Sequence, residues 1–335
     1  MEGISKNAIW VFVQQRDSHI ESITFELLAM ARELKAHSGE PVCAVLMGFG
    51  VSALAPELIA SGADEVLIAE HEALASYSAR PFQQALAQLA RRFEPSVILY
   101  GATSVGRDLA PRVMVSLGTG LTADAIDLGY DEDGMFYQTT PAYGGSILAH
   151  IVIPERRPQM ATVREGIAQP LEPDRSRRGV AESVPVEVEP DAGFELLSRE
   201  PKAACGVPIS EAEIIVSGGR GVKSEEEFKL LEELASLLGG QTACSRPLVD
   251  SGMLPHSKQI GQSGTTVKPK LIINVGISGS VQYRIGMQGS KLVVSINHTK
   301  NAPIFDISNY GINADLKSVL PAIIAEVKKR KQETV

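Results

Sequence analysis

Apolar residues in the first part of the chain follow two alternating rhythms, and each predicts an element. Ala8 to Val13 is an unbroken apolar run ending in polar Gln14-Gln15-Arg16-Asp17, the pattern of a buried strand. Leu27, Met30, Ala31 and Leu34 then share one helical face, which His37-Ser38-Gly39 closes. Val42 to Met47, closed by Gly48, and Glu65 to Ala69 read as two more strands. Phe82, Leu86, Leu89, Ala90 and Phe93 have the spacing of a core-facing helix. Pro95 ends it, and Val97 to Tyr100 is a fourth strand. Strand and helix in alternation predict a parallel sheet with right-handed crossovers.

After Gly120 the rhythm changes. Met135 to Thr140, Ser146 to Ile153 and Gln159 to Val163 are strand-like with no helix between them, and Asp133-Gly134 and Tyr143-Gly144-Gly145 supply turn chemistry. This predicts an antiparallel extension of the first sheet. Residues 168–208 are rich in proline and read as a connection, with Val184 to Val188 as one edge strand. The domain boundary is placed nearest Cys205-Gly206-Val207-Pro208, giving domains of residues 1–204 and 205–335.

The second domain is again doubly wound. Ile214 to Val216 leads into a glycine turn, and Ser224 with Glu227 forms a capping box for a helix striped by Phe228, Leu231, Leu234 and Leu238. Gly239-Gly240 ends that helix. Leu271 to Val275 and Leu292 to Ile296 are strands, and Leu316, Val319, Leu320, Ile323, Ile324 and Val327 mark a final helix. The expected fold is therefore α/β, with two doubly wound parallel-sheet domains, the second Rossmann-like.

Composition narrows the function. A length of 335 residues, 44% hydrophobic and 21% charged, suits a two-domain globular protein. A formal net charge of -8 argues against a general binder of nucleic acid or anionic membranes. Cys43, Cys205 and Cys244 stand far apart, which fits a reducing compartment and offers no Cys-based cluster site. No apolar run is long enough to span a bilayer, and a strand begins too early to leave room for a signal peptide, so a cytoplasmic location is expected.

Six scattered histidines form no metal-binding motif, and neither a nucleophile elbow nor a Walker-type phosphate loop is present. The positive signal is ligand binding. Gly218-Gly219-Arg220-Gly221 lies between a strand and a helix, as a phosphate turn or a plain tight turn would, and Arg220 offers a forked donor. Gly276-Ile277-Ser278-Gly279 repeats the arrangement.

These clusters carry a family resemblance. Gly219-Arg220-Gly221, Ser245-Arg246, Gly261-Gln262-Ser263-Gly264, Gly276 to Gln282, Ser295-Ile296-Asn297, Ala302 to Phe305 and Tyr310 to Leu316 occur in an order and spacing similar to the electron-transfer flavoprotein alpha subunit. Leu121-Thr122-Ala123-Asp124 and Met160 to Arg164 also resemble family stretches. The resemblance implies a heterodimer with a beta subunit, in which the C-terminal domain of this chain holds one FAD. It also implies an electron carrier serving acyl-CoA dehydrogenases or similar flavoenzymes, as in fatty acid beta-oxidation, without substrate chemistry or a metal of its own.

By the same resemblance, Arg220, Ile277, Ser278 and Gly279 lie along the pyrophosphate and adenosine portion, with Asn297, Asp315 and Leu316 at the adenine and ribose end. Ser245, Arg246, Gln262, Ser263 and Gln282, with Gly261 and Gly264 shaping their loop, would sit near the ribityl chain and isoalloxazine ring. Reduced flavin is anionic over N1 and C2=O, so a fixed cation raises its potential. At about 4 Å and an effective dielectric near 20 that is worth roughly 4 kcal/mol, on the order of 170 mV for one electron. Arg246 is the candidate cation.

Many family members have histidine where this chain has Tyr283, and a phenol there offers the flavin one neutral hydrogen bond instead of a charge. Two other readings stand beside this one. One is the electron-bifurcating type, whose beta subunit binds another FAD and oxidises NADH. The other is a nicotinamide-dependent dehydrogenase, which would need a Gly-x-Gly-x-x-Gly turn with an acidic residue downstream; neither is evident.

Overall fold

The computed structural model describes residues 3–142, 147–194, 196–198 and 208–333. The chain divides into two compact units, Met1–Arg199 and Glu200–Val335. The turn expected at 143–145 and the boundary expected at 205–207 lie outside the described residues.

The first unit is built on β1 (Ile9–Phe12), the small hairpin β2 (Gln15–Arg16) and β3 (His19–Ile20), α1 (Ser22–Ser38), β4 (Val42–Gly48), α2 (Ala55–Ala60) and β5 (Glu65–Glu70). It continues through α3 (Ala79–Phe93), β6 (Val97–Gly101), α4 (Ser104–Leu117), β7 (Leu121–Ala125), β8 (Asp127–Tyr130), β9 (Phe136–Ala142), β10 (Ile147–Val152), β11 (Gln159–Val163) and β12 (Val180–Ser183). Seven strands make one sheet in the order β12-β5-β4-β1-β6-β11-β7. Every pairing in it is parallel.

Successive side chains of a strand point to opposite faces, so β1 sends Trp10 and Phe12 into the core under α3 and α4 and Ile9 and Val11 into the core under α1. Both faces are covered, which is why these strands read as continuous apolar runs. α1 stops where expected: Gly39 takes φ 75° and its N–H donates to the Lys35 carbonyl.

Three expectations need correction. The antiparallel strands do not extend the large sheet; β8, β9 and β10 form their own sheet in the order β10-β9-β8. β11, read as part of that run, instead inserts in parallel between β6 and β7. All of its residues are buried, and a strand covered on both faces gives no alternation by which to read its direction. The edge strand is β12, just before Val184; Val184 and Val186 belong to the core beyond it. The sequence reading also passed over α4, whose apolar face of Leu109, Ala110 and Val113 is interrupted by Pro111.

The second unit runs β13 (Ile214–Gly218), α5 (Glu225–Leu238), β14 (Gln241–Cys244), α6 (Arg246–Asp250), β15 (Leu271–Val275), α7 (Val281–Ile285), β16 (Leu292–Ile296), β17 (Tyr310–Ile312) and α8 (Leu316–Glu333). Its sheet is parallel in the order β14-β13-β15-β16-β17. α5 and α8 pack on one face with Phe228, Leu231, Leu320 and Ile324; α7 and the turn Pro303–Ile307 cover the other. The chain reverses direction at β13, and β14 and β15 flank it, so the turns after β13 and β15 meet at the switch point where α/β sheets bind ligands.

Candidate cofactor site

Two glycine turns build the floor of the site, back to back. The Gly219 N–H donates to the Val275 carbonyl and the Gly221 N–H to the Gly276 carbonyl, each at 2.9 Å. A Cβ on Gly221 would lie 2.7 Å from the Gly276 Cα, and Gly276 itself takes φ 63°. Only glycine allows both turns so close. Behind Gly221 the expected capping box is present in altered form. Ser224 Oγ accepts from the Glu227 N–H, while the Glu227 carboxylate accepts from the Lys223 N–H at 2.7 Å. The Lys223 N–H and Lys317 together hold the Glu227 carboxyl below its usual range, against the opposing effect of burial.

The second turn is held from the next strand. The Asn297 side-chain N–H donates to the Ile277 carbonyl at 2.8 Å, and its Oδ1 accepts from the Thr299 N–H at 2.8 Å. Asn297 therefore lines the site, but its amide is occupied in shaping the turn. The remaining wall comes from α6 and from the loop after it. The Ser245 N–H donates to the Gly218 carbonyl at 3.0 Å, and the Gln262 N–H donates to the Gln282 carbonyl at 2.8 Å, tying that loop to α7. The Gln259 side-chain amide donates to Ser263 Oγ at 3.0 Å.

These walls enclose a cleft of about 500 Å³ lined in part by Arg220, Ser245, Arg246, Gln262, Ser263, Ile277, Ser278, Gln282 and Tyr283. Gly261 lines it as well, with φ 138°. A smaller cleft holds Asp315 and Leu316, and it shares Gly221, Lys223, Gly276, Asn297 and His298 with the first. Of the residues singled out from the sequence, Gly264 and Gly279 do not line either cleft. They act from behind, since a Cβ on Gly264 would run into the Gln259 carbonyl and one on Gly279 into the Ile304 backbone nitrogen.

Lys223, Ser280, His298 and Thr299 line the main cleft and were missed. Lys223 could have been found: it lies just beyond Gly219-Arg220-Gly221, at the start of a helix.

Two expected roles look different in three dimensions. Arg246 borders the cleft, yet its Nε lies 3.4 Å from Asp250 Oδ2 one turn along α6, with 68% of the Arg246 side chain exposed. Tyr283 lines the cleft, but its hydroxyl, expected to donate to the flavin, is turned into the sheet. It lies 2.7 Å from Asn274 Oδ1 and 2.8 Å from Ser217 Oγ, and the residue is 4% exposed. Burial pushes that phenol far above its usual pKa. Beneath the same wall, burial pushes the Cys244 thiol up to about 12, which disfavours its thiolate at neutral pH.

The donor set suits a dinucleotide. Glycine backbones allow close approach for a pyrophosphate, Arg220 and Lys223 supply cations, and hydroxyls and amides line the longer cleft. Its volume lies within the range of about 300–1,000 Å³ usual for ligand sites. Among the described residues no cluster could hold a metal ion, and no helix is long and apolar enough to cross a membrane.

Comparison with known proteins decides the family. Residues 9–189 match the electron transfer flavoprotein domain and residues 208–288 the electron transfer flavoprotein FAD-binding domain. The chain belongs to the electron transfer flavoprotein alpha subunit family. It is 43% identical over 324 residues to the electron transfer flavoprotein subunit alpha of Thermoanaerobacterium thermosaccharolyticum, covering 96% of this chain and 98% of that protein. It is 42% identical over 323 residues to the protein FixB of Clostridium saccharobutylicum, 96% of each. It is 40% identical over 324 residues to the subunit LctC of a lactate dehydrogenase (NAD(+),ferredoxin) of Acetobacterium woodii, covering 96% of this chain and 77% of that protein. The FAD-binding match lies within the second unit, and FAD is the cofactor of this family.

Proposed function

We propose that this chain is the alpha subunit of a heterodimeric electron transfer flavoprotein. It would shuttle electrons between flavin dehydrogenases, of the acyl-CoA dehydrogenase type, and a quinone oxidoreductase or another acceptor. The observation that carries the reading is the main cleft, with its paired glycine turns at one end and hydroxyl, amide and arginine groups at the other. Bound FAD supplies the electron exchange.

The chain's own residues bind and tune. In this reading the turns at Gly221 and Gly276 and the side chain of Arg220 receive the pyrophosphate. Asp315 and Leu316 serve the adenosine end. Ser245, Gln262, Ser263 and Gln282 orient the ribityl and ring portion, and Arg246 adds positive charge beside it, favouring the reduced form.

Pairing with a beta subunit has support in the first unit. β10 is an edge strand of its sheet, and Ile147, Leu148, Ile151 and Val152 on it are exposed. Monomeric proteins blunt such edges; an apolar one suits a permanent partner.

A second reading is the bifurcating type. The likeness to LctC, whose name describes an NAD- and ferredoxin-linked lactate dehydrogenase, favours considering it. One experiment separates the readings: co-production with the beta subunit, followed by FAD stoichiometry and titration with NADH. One FAD per heterodimer, inert to NADH, supports the shuttle. Two FAD with reduction by NADH support bifurcation, and a colourless heterodimer rejects both.

A further inference from the structure

One residue below the turns that form the site, the sheet carries polar side chains where apolar ones would be expected. Ser217, Asn274 and Ser295 are Cα partners across β13, β15 and β16, and each is 0% exposed. Buried polar groups are costly unless every one is satisfied. Here they are satisfied by one another and by two groups from above the sheet. Tyr283 on α7 reaches Ser217 Oγ at 2.8 Å and Asn274 Oδ1 at 2.7 Å. The Asn274 amide N–H reaches Ser295 Oγ at 3.3 Å. Ser308 reaches Ser295 Oγ at 2.7 Å and the Ile304 carbonyl at 2.7 Å.

For all these bonds to exist together, the protons must run one way. Asn274 Oδ1 can only accept, so Tyr283 donates to it and accepts from Ser217. The Ile304 carbonyl can only accept, so Ser308 donates to it and accepts from Ser295, which in turn accepts from the Asn274 amide. The result is a single directed chain from Ser217 to Ile304.

It touches the lining of the cleft at two places. Tyr283 is the neighbour of Gln282, whose carbonyl receives the Gln262 N–H and so holds the loop of the flavin end. Ile304 donates its N–H to the Ser278 carbonyl at 3.0 Å, directly under the second glycine turn.

We propose that Tyr283 is a positioning residue for the flavin end of the site, acting through this chain, and that the chain sets Gln282 and the Ser278 turn as one unit. Tyr283 does not present its hydroxyl to the cofactor. It fixes Gln282 and the Ser278 turn, which line the cleft. This rests on the reading of the cleft as the FAD site.

The test uses the full chain co-produced with its beta subunit. Three variants are compared with the parent: Tyr283→Phe, Ser308→Ala and both together. Readouts are the FAD dissociation constant, visible circular dichroism of the bound flavin, its midpoint potential and the melting temperature. Tyr283→Phe is expected to weaken FAD about three- to tenfold, the range of one lost neutral hydrogen bond, and to alter the flavin dichroism.

Ser308 lines neither cleft, so Ser308→Ala is the decisive variant. It should change the flavin dichroism in the same direction, and the double variant should fall short of the sum of the singles. Unchanged flavin dichroism and potential in Ser308→Ala, or strictly additive effects, overturn the proposal even if the melting temperature falls. If the parent heterodimer itself binds no FAD, it is the reading of the site that fails.

Discussion

Arg246 Nε stands 3.4 Å from Asp250 Oδ2, one turn apart on a short helix at the edge of the cleft. An exposed pair of this kind contributes little to stability, so the arginine can be removed cheaply. Its effect on a neighbouring negative charge at about 4 Å lies between roughly 1 kcal/mol in water and 4 kcal/mol at an effective dielectric near 20. Arg246→Ala is therefore expected to lower the one-electron potential of bound FAD by on the order of 40–170 mV, with a melting temperature close to the parent's. Spectroelectrochemical titration checks it, and an unmoved potential removes Arg246 from the tuning role.

Gly279 takes φ 85°, and a Cβ there meets the backbone of Ile304. Neither strain can relax without displacing the Ser278 turn. Gly279→Ala should lose FAD on gel filtration while the first unit keeps its circular dichroism. Gly239→Ala is the control, since that glycine caps a helix with open space around it at φ 70°; its cost should be about 1 kcal/mol of stability, with FAD retained.

The Glu227 carboxylate closes the start of α5 by accepting the Lys223 N–H and pairing with Lys317 at 3.0 Å. Its folded pKa is lowered from 4.5, so it adds stability above that value and loses it as pH falls through the folded pKa. Glu227→Gln should cost about 1 kcal/mol at pH 7, and in denaturation curves the difference from the parent should begin to shrink below pH 4.5 and vanish once the pH lies below the lowered folded pKa.

Asp64 is the corresponding anchor of the first unit. Its carboxylate accepts the Val42 N–H at 3.0 Å and faces Arg32 and Lys35 at 2.9 Å and Arg177 at 3.3 Å. Burial opposes its charge, but the Val42 N–H, Lys35 and Arg32 outweigh it and lower the pKa from 3.8. Asp64→Ala leaves these cations facing one another, and a loss of about 2 kcal/mol is expected by urea titration at pH 7. The loss should shrink as pH falls below 3.8 and on through the parent's lowered carboxyl pKa.

Much of the fold was legible because strands covered on both faces and striped helices leave strong patterns. The capping box at Ser224 and the stop at Gly39 were readable from single residues. What failed was pairing. Nothing in Gln159 to Val163 says that it lies between β6 and β7, because register across distant strands leaves no local mark. The candidate site was legible as a set of turns, in that nearly all of the residues named line one cleft or the other. The direction of a side chain was not. A tyrosine beside a cofactor loop looks like a ligand contact until Asn274 and Ser217, buried in other strands, are seen to hold its hydroxyl.

The directed hydroxyl chain also constrains descent. Losing one member strands a buried donor or acceptor, whereas replacing neighbouring members together by apolar groups of similar shape can be nearly neutral. Ser217, Asn274, Ser295 and Tyr283 thus depend on one another, and a change of the tyrosine alone costs more than one that rewrites the strands beneath it as well.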